Sequence, residues 1–597
     1  MPDHPLSLRN CSRRSFLSAS AFAAGATLLP HPDAWADLPM PSPSSPLEHN
    51  LDAYLDAYLA AYLPAMNAPG LTLGLTDAAS TRRVSCYGYA DLERRLPVTP
   101  NHLFQIGSIT KSFVALVTLQ LHEEGMLDLD KPILDYLPHL PIVAEFGPIS
   151  VHHLLTHTSG LPDNLTLFAP DPTARLVQGF TPGRHFHYCN AGFDILGLLA
   201  VHLDGRPWRT LLPARILNPL GMTRTTPVIT TALRDRFAIG YEPFRDDQQY
   251  PRQGRLAPAP NLVMDDTAGC IASTPADMAV YARMLLNRGQ LPKSQAPGGH
   301  IVSEESFARM ATPYIKAPEF SPTAGYGYGI AVDTLDGHRI LRHTGGMVAF
   351  ASSIHVDLDG GVAAFASINA MQGYRPIAVT EYAVRLLRAD RESKPLPAAP
   401  PLSDPRDIDN AADYAGTFTA PDGRALLFAA QGNHLTLVDP QNPGQPSIVL
   451  QKNDSDKFIS TVPGALAGNT FIFGRKSGPA PSSAKSAPQP VVEVSYGADW
   501  YAAPAYDGPR TFSVPPDYPL YEGRYWSDSA WGGEALVYIL KGQLRTSGNE
   551  LIPLGDGLFR IGDQPWMPDT VQFLNVFEGK ARNARFAGLD FQRVDVG

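Results

Sequence analysis

Apolar side chains recur every three to four positions at Leu51, Tyr54, Leu55, Tyr58, Leu59 and Tyr62. That spacing predicts an amphipathic helix over residues 47–66. Residues 71–75 and 84–89 then read as β-strands, and residues 113–125 as a strongly apolar helix stopped by a glycine. Residues 151–156 and 191–203 predict further helices. Another is predicted over residues 275–286, opened by Pro275 and capped by Ser273 or Thr274. From Tyr326 the pattern shortens to strand length, with β-type runs at residues 329–332, 340–343, 352–356 and 362–368. Asp336-Gly337 and Asp359-Gly360 stand between them as hairpin turns. A helix over residues 377–388 closes this part. Helices, then an antiparallel meander, then a terminal helix predict an α/β domain whose sheet is covered by helices.

The proline-rich stretch 392–405 reads as a linker, and beyond it helical periodicity nearly vanishes. Residues 414–419, 425–429, 434–438 and 458–462 resemble short strands, and residues 479–490 form a low-complexity loop. A second β unit starts near Tyr518, where Tyr521-Glu522-Gly523-Arg524-Tyr525 echoes Tyr414-Ala415-Gly416-Thr417-Phe418. Two small antiparallel barrels or sandwiches are therefore expected, as diverged copies of one unit. The expected division is a helix-covered α/β unit over 47–390, a linker over 391–407, one β unit over 408–512 and a second over 513–597.

A chain of 597 residues is too long for one hydrophobic core, which fits this division. The net charge of −10 and a pI of about 5.9 argue against a nucleic-acid partner, which calls for a basic face. Ser12-Arg13-Arg14-Ser15-Phe16-Leu17 is a twin-arginine signature, followed by an apolar stretch over 16–29 and the small-residue site Ala34-Trp35-Ala36. The apolar stretch is too short to cross about 30 Å of hydrocarbon. Residues 1–36 are therefore expected to be a cleaved export signal and residues 37–46 a tether. No membrane span would be left, and the protein would be periplasmic or secreted. Cys11 leaves with the signal. Cys86, Cys189 and Cys270 are odd in number and lack metal-like spacing, so buried free thiols are expected, with no disulfide framework, metal or cofactor.

Three short motifs carry candidate chemistry. In Ser108-Ile109-Thr110-Lys111 the hydroxyl and the amine are three apart, hence neighbours on one helix face. A desolvated lysine can take the proton of a serine nucleophile. Ser482-Ser483-Ala484-Lys485 repeats the spacing inside the low-complexity loop, whereas Ser108 follows a tight Gly107 and precedes an apolar helix. Tyr188-Cys189-Asn190 stands at a helix entrance, where the phenol could carry protons and the amide could hold the lysine; a surface tyrosine and a capping asparagine are the bland alternative. His343-Thr344-Gly345-Gly346 ends a β run, where the Gly346 amide, with that of Ser108, could form an oxyanion hole; a satisfied structural histidine is the bland alternative. Gly-x-Ser-x-Gly, His-Glu-x-x-His, Gly-x-x-x-x-Gly-Lys and Cys-x-x-Cys do not occur.

Taken in order, Ser-x-x-Lys, Tyr-x-Asn and His-Thr-Gly resemble the serine penicillin-recognising enzymes, most of all their class C β-lactamase and peptidase S12 branch. Leu154-Leu155-Thr156-His157-Thr158-Ser159-Gly160-Leu161-Pro162, Asn218-Pro219-Leu220-Gly221-Met222 and Ala268-Gly269-Cys270 are similar to the same family. The resemblance implies a β-lactamase/transpeptidase-like domain followed by lipocalin-like barrels. It implies acylation of Ser108, activation by Lys111, proton transfer by Tyr188, and substrate or oxyanion contacts from Asn190, His343, Thr344, Gly346 and Asn164. Many β-lactamases have lysine where this chain has His343. An imidazole, largely neutral at pH 7, would hold a free carboxylate less strongly. The expected substrate is a small peptide or amide with D-residues. An esterase, a weak class C-like β-lactamase, and a non-catalytic penicillin-binding receptor are the alternatives. In such relatives the barrels shape the site entrance or mediate homo-oligomer assembly.

Overall fold

The computed structural model describes residues 48–163, 167, 174–244, 255–291, 299–371, 376–402, 404–438, 447–460, 470–476 and 489–594. Asn164, the signal-like segment and Ser482 lie outside the described residues.

Nine antiparallel strands form the central sheet of the first part. In spatial order they are Ile315–Lys316, Gly325–Tyr326, Ala331–Leu335, His338–Gly346, Ala351–Asp357, Val362–Ile368, Gly70–Asp77, Thr81–Asp91 and Leu96–Pro97. Both faces are buried along the inner strands, and Val362–Ile368 is nearly continuous in apolar residues. Ala364, Ala366 and Ile340 turn to one face, where the helices Glu48–Ala65 and Ile377–Arg391 lie; Ala363, Phe365 and Leu341 turn to the other, shared with Thr110–Glu123 and Pro275–Leu286. The helix period of the first segment is realised with one exception. Leu51, Leu55, Tyr58, Leu59 and Tyr62 are buried, while Tyr54 is 45% exposed.

The Pro275–Leu286 helix is capped by Thr274, whose hydroxyl accepts from the Asp277 amide. Gly74 permits this helix to approach the sheet, since a Cβ there would lie 2.3 Å from the Pro275 carbonyl oxygen. The Asp336-Gly337 turn has left-handed φ at both residues, as a tight hairpin requires. At the next hairpin the left-handed residue is Gly361, not Gly360, and the Gly361 amide donates to the Asp357 carbonyl.

Two closed eight-stranded barrels follow, running from Gly416–Thr419 to Asp499–Ala502 and from Gly523–Ser527 to Leu589–Arg593. They are barrels and not sandwiches. Phe418, Phe428, Phe458, Phe471 and Phe473 fill the first, and Tyr525, Phe559 and Phe573 sit in the core of the second. Each is preceded by a single helical turn, Ala411–Tyr414 or Tyr518–Tyr521. The tyrosine ending that turn, Tyr414 or Tyr521, is buried against the barrel phenylalanines. This is the structural counterpart of the sequence echo. Trp500, Ala502, Tyr538 and Leu540 join the barrels in one buried cluster. The linker is partly anchored, with Leu396 and Leu402 resting on the core beneath Glu48–Ala65.

Candidate active site

Ser108 lies in the 3-10 turn Gly107–Ile109, immediately before the Thr110–Glu123 helix. Gly107 has φ of +53°, and a Cβ there would stand 2.9 Å from both the amide nitrogen and the carbonyl oxygen of Gly346. A Cβ on Gly345 would stand 1.8 Å from the Ile106 carbonyl oxygen. The serine turn and the end of the His338–Gly346 strand thus touch backbone to backbone, which only glycines allow. This brings Ser108 and Gly346 to the wall of one cavity of about 460 Å³, shared with Tyr188, Asn190, His343 and Thr344.

Lys111, one helical turn after Ser108, is fully buried. Its Nζ stands 3.0 Å from Ser108 Oγ, 2.7 Å from Asn190 Oδ1 and 2.9 Å from the Ala268 carbonyl oxygen. Asn190 opens the Asn190–Asp204 helix but does not cap it. The cap is Cys189, whose sulfur accepts from the Gly192 amide. The Asn190 side chain is thereby released toward Lys111. It is held by Asp163, whose Oδ1 accepts from the Asn190 amide at 2.7 Å and from Nδ2 at 3.0 Å. Burial pushes the Asp163 carboxyl above its ordinary value.

Tyr188 lies with its ring 4.8 Å from Lys111 Nζ and 4.3 Å from the His157 ring. His157 is buried, has φ of +55°, and its Nδ1 accepts from the Cys189 amide at 3.0 Å. Burial, with the Lys111 charge nearby, holds its imidazole well below the ordinary value, so it is neutral. An uncharged ring in a costly backbone conformation persists only where its surroundings over-determine it. Here it backs the Tyr188 ring and fixes the adjacent main chain.

His343 is buried, with Nδ1 2.7 Å from the Thr344 carbonyl and Nε2 3.0 Å from the Tyr326 hydroxyl. A carbonyl can only accept, so Nδ1 carries the hydrogen. Burial raises Tyr326 far above its ordinary value, so the phenol stays protonated and can donate to Nε2.

Sequence reasoning missed several groups on this cavity: Asp163, Asp194, Asp266, Glu319 and Trp531. Asp194 sits four residues after Asn190, a spacing that could have flagged it. Its Oδ1 accepts from the Ala268 amide at 2.8 Å, and burial together with the Asp266 charge pushes its carboxyl above the ordinary value. Asp163 stands one position before Asn164. Trp531 comes from the second barrel, and no local signal marks it.

The sulfurs are free thiols among the described residues; Cys189 and Cys270 are buried and Cys86 is half-buried. No His/Cys/Asp/Glu group among the described residues could hold a metal ion, and no described helix is long and apolar enough to cross a membrane.

Residues 51–389 match the beta-lactamase family model. Penicillin-binding protein 4 of Amycolatopsis lactamdurans is 30% identical over 343 residues, which are 55% of this chain and 87% of that one. A penicillin-binding protein of Bacillus subtilis (strain 168) is 23% identical over 403 residues, 62% of this chain and 84% of its own. The octameric penicillin-binding protein homologue from Pyrococcus abyssi aligns with a TM-score of 0.51 and 24% identity. It covers 76% of this chain and 99% of that one, so the likeness of fold extends past residue 389.

Proposed function

The chain belongs to the beta-lactamase family and is a serine hydrolase, and on that footing we propose that it works through an acyl-enzyme on Ser108, cleaving amides or peptides that carry D-residues. The observation that carries this reading is the buried Lys111 Nζ held 3.0 Å from Ser108 Oγ. As a neutral amine Lys111 can give N–H groups to Asn190 Oδ1 and the Ala268 carbonyl and keep its lone pair for a third direction. The lone pair then faces Ser108 Oγ, 3.0 Å away, ready to receive its proton. Ser108 Oγ attacks the substrate carbonyl, and the amides of Ser108 and Gly346 receive the developing oxyanion. Tyr188 passes a proton to the leaving amine and later takes one from the deacylating water. Asn190 orients the substrate carbonyl, and Thr344 offers strand-edge contacts.

The charge of the cavity narrows the substrate. Asp163, Asp194, Asp266 and Glu319 line it against one cation, Arg342, which is itself paired with Asp333, and His343 stands where a lysine would, so a free ammonium on the acyl part is favoured over a free carboxylate. A D-aminoacyl amide or peptide fits this better than a D-Ala-D-Ala terminus or a penicillin. The twin-arginine segment supports export, with maturation near Ala36. Homo-oligomer assembly is part of the same proposal, to be checked by light scattering.

The test is intact mass spectrometry with a fluorophosphonate, joined to a screen of D-aminoacyl amides, D-Ala-D-Ala peptides, short-chain esters and nitrocefin. A Ser108 adduct that Ser108→Ala abolishes, with turnover highest on the D-aminoacyl amides, is expected. Labelling that survives Ser108→Ala, or nitrocefin turnover above that of every amide, refutes the reading. A β-lactam adduct that never turns over would mark a receptor instead.

A further inference from the structure

The second barrel has eight strands: Gly523–Ser527, Gly533–Leu540, Gln543–Thr546, Asn549–Gly555, Leu558–Ile561, Thr570–Phe577, Lys580–Phe586 and Leu589–Arg593. In an up-and-down barrel, alternate connections leave from the same rim. The connections 528–532 and 562–569 are therefore on one rim, and both reach the first domain. Trp531, on the former, lines the cavity and packs against the buried cluster that contains Met347 and Phe350.

The 562–569 connection makes the closer engagement. The Trp566 indole stacks on His185 at 4.4 Å, with the ring planes 6° apart. A Cβ on Gly179 would lie 2.7 Å from the Trp566 carbonyl oxygen and 2.9 Å from Pro568 Cα. The two backbones are in contact there. At the end of the connection Asp569 Oδ1 accepts from the Asp163 amide at 2.9 Å and stands 3.3 Å from His187 Nε2.

We propose that Asp569, a residue of the C-terminal barrel, is a positioning residue for the reaction at Ser108. It pins the main chain of Asp163. The Asp163 carboxylate then holds Asn190 through two hydrogen bonds, Asn190 holds Lys111, and Lys111 faces Ser108. Angular errors of a few degrees at Asp163 would be passed on to the amine, where misplacement by about 1 Å costs about a hundredfold in rate.

The inference rests on the acyl-serine reading, and the experiment separates the two. Fluorophosphonate labelling of Ser108 is timed by intact mass in the full-length chain, beside kcat and KM on the best amide from the screen. Asp569→Ala is expected to slow labelling and kcat together by about tenfold, with KM within about twofold. Asp569→Asn keeps an oxygen for the Asp163 amide and is expected to recover most of that loss. Labelling of Asp569→Ala at the wild-type rate, a change in KM alone, or an asparagine variant as slow as alanine overturns the proposal. Should Asp569→Ala not fold, Gly179→Ala wedges the connection away without touching Asp569, and its labelling at the wild-type rate is equally fatal. Absence of any Ser108 adduct in the wild type refutes the acyl-serine reading itself, whereas a wild-type adduct with unaltered variants refutes only the role of Asp569.

Discussion

At the residue scale the site depends on backbone contacts as much as on functional groups. Gly107 has left-handed φ and lies against Gly346. Gly107→Ala must push the strand end from the serine turn, so fluorophosphonate labelling should slow by about a hundredfold; a rate within about threefold of wild type would contradict the contact. His157 was visible in the sequence only as part of a family stretch, because its role is to touch Tyr188 and not substrate. His157→Phe keeps a ring behind Tyr188 but leaves the Cys189 amide without its acceptor. A buried orphan donor costs about 1–3 kcal/mol, so a lower Tm and a kcat down by about tenfold are expected. The pH–rate profile should keep its shape, since a neutral His157 contributes no titration. Ser108 and Lys111 were legible because their spacing makes them neighbours within one turn, whatever the remainder of the chain does.

At the element scale most boundaries follow from periodicity. The Pro275–Leu286 helix begins and ends where its proline, cap and apolar period predict. Asp359-Gly360 does fall in the turn before Val362–Ile368, and strand register decides that the left-handed residue of that turn is Gly361. The short segment ending at Asn190 carries His187, whose titration follows from its docking. Burial pulls its imidazole down, but Asp569, Asp163 and Glu319 outweigh this and leave it above the ordinary 6.5. A group raised on folding stabilises fully below its unfolded value and loses that stabilisation as pH rises through the folded value. Thermal stability should therefore fall, as pH rises above about 6.5, more in the wild type than in His187→Gln. Parallel curves for the two proteins would show that His187 contributes nothing to the docking.

At the scale of the whole molecule, a serine hydrolase domain of the beta-lactamase family is completed by a barrel from the far end of the chain. Asp569 meets Asp163 across 406 residues of sequence. Trp531 closes the cavity beside Met347 and should govern which acyl groups fit. Trp531→Ala is expected to raise KM for small D-aminoacyl amides by about fivefold and to admit bulkier ones. Labelling by a small fluorophosphonate should stay within about twofold, and an unchanged substrate profile would place Trp531 outside the substrate path. The aromatic filling of the second barrel fits this use of its rim, since its interior is occupied.

The amino-acid sequence alone determined whatever depends on short spacings: the Ser108–Lys111 pairing, the helix and strand periods, the repeat of tyrosine-led β units, and the order of motifs that resembles the family. Tertiary structure decided the rest. Which carboxylates surround the amine, which ring backs Tyr188, and which rim closes the cavity depend on contacts between segments tens to hundreds of residues apart. A single chain has no local pattern for such contacts, because they arise only when buried area and backbone approach are settled for all segments together.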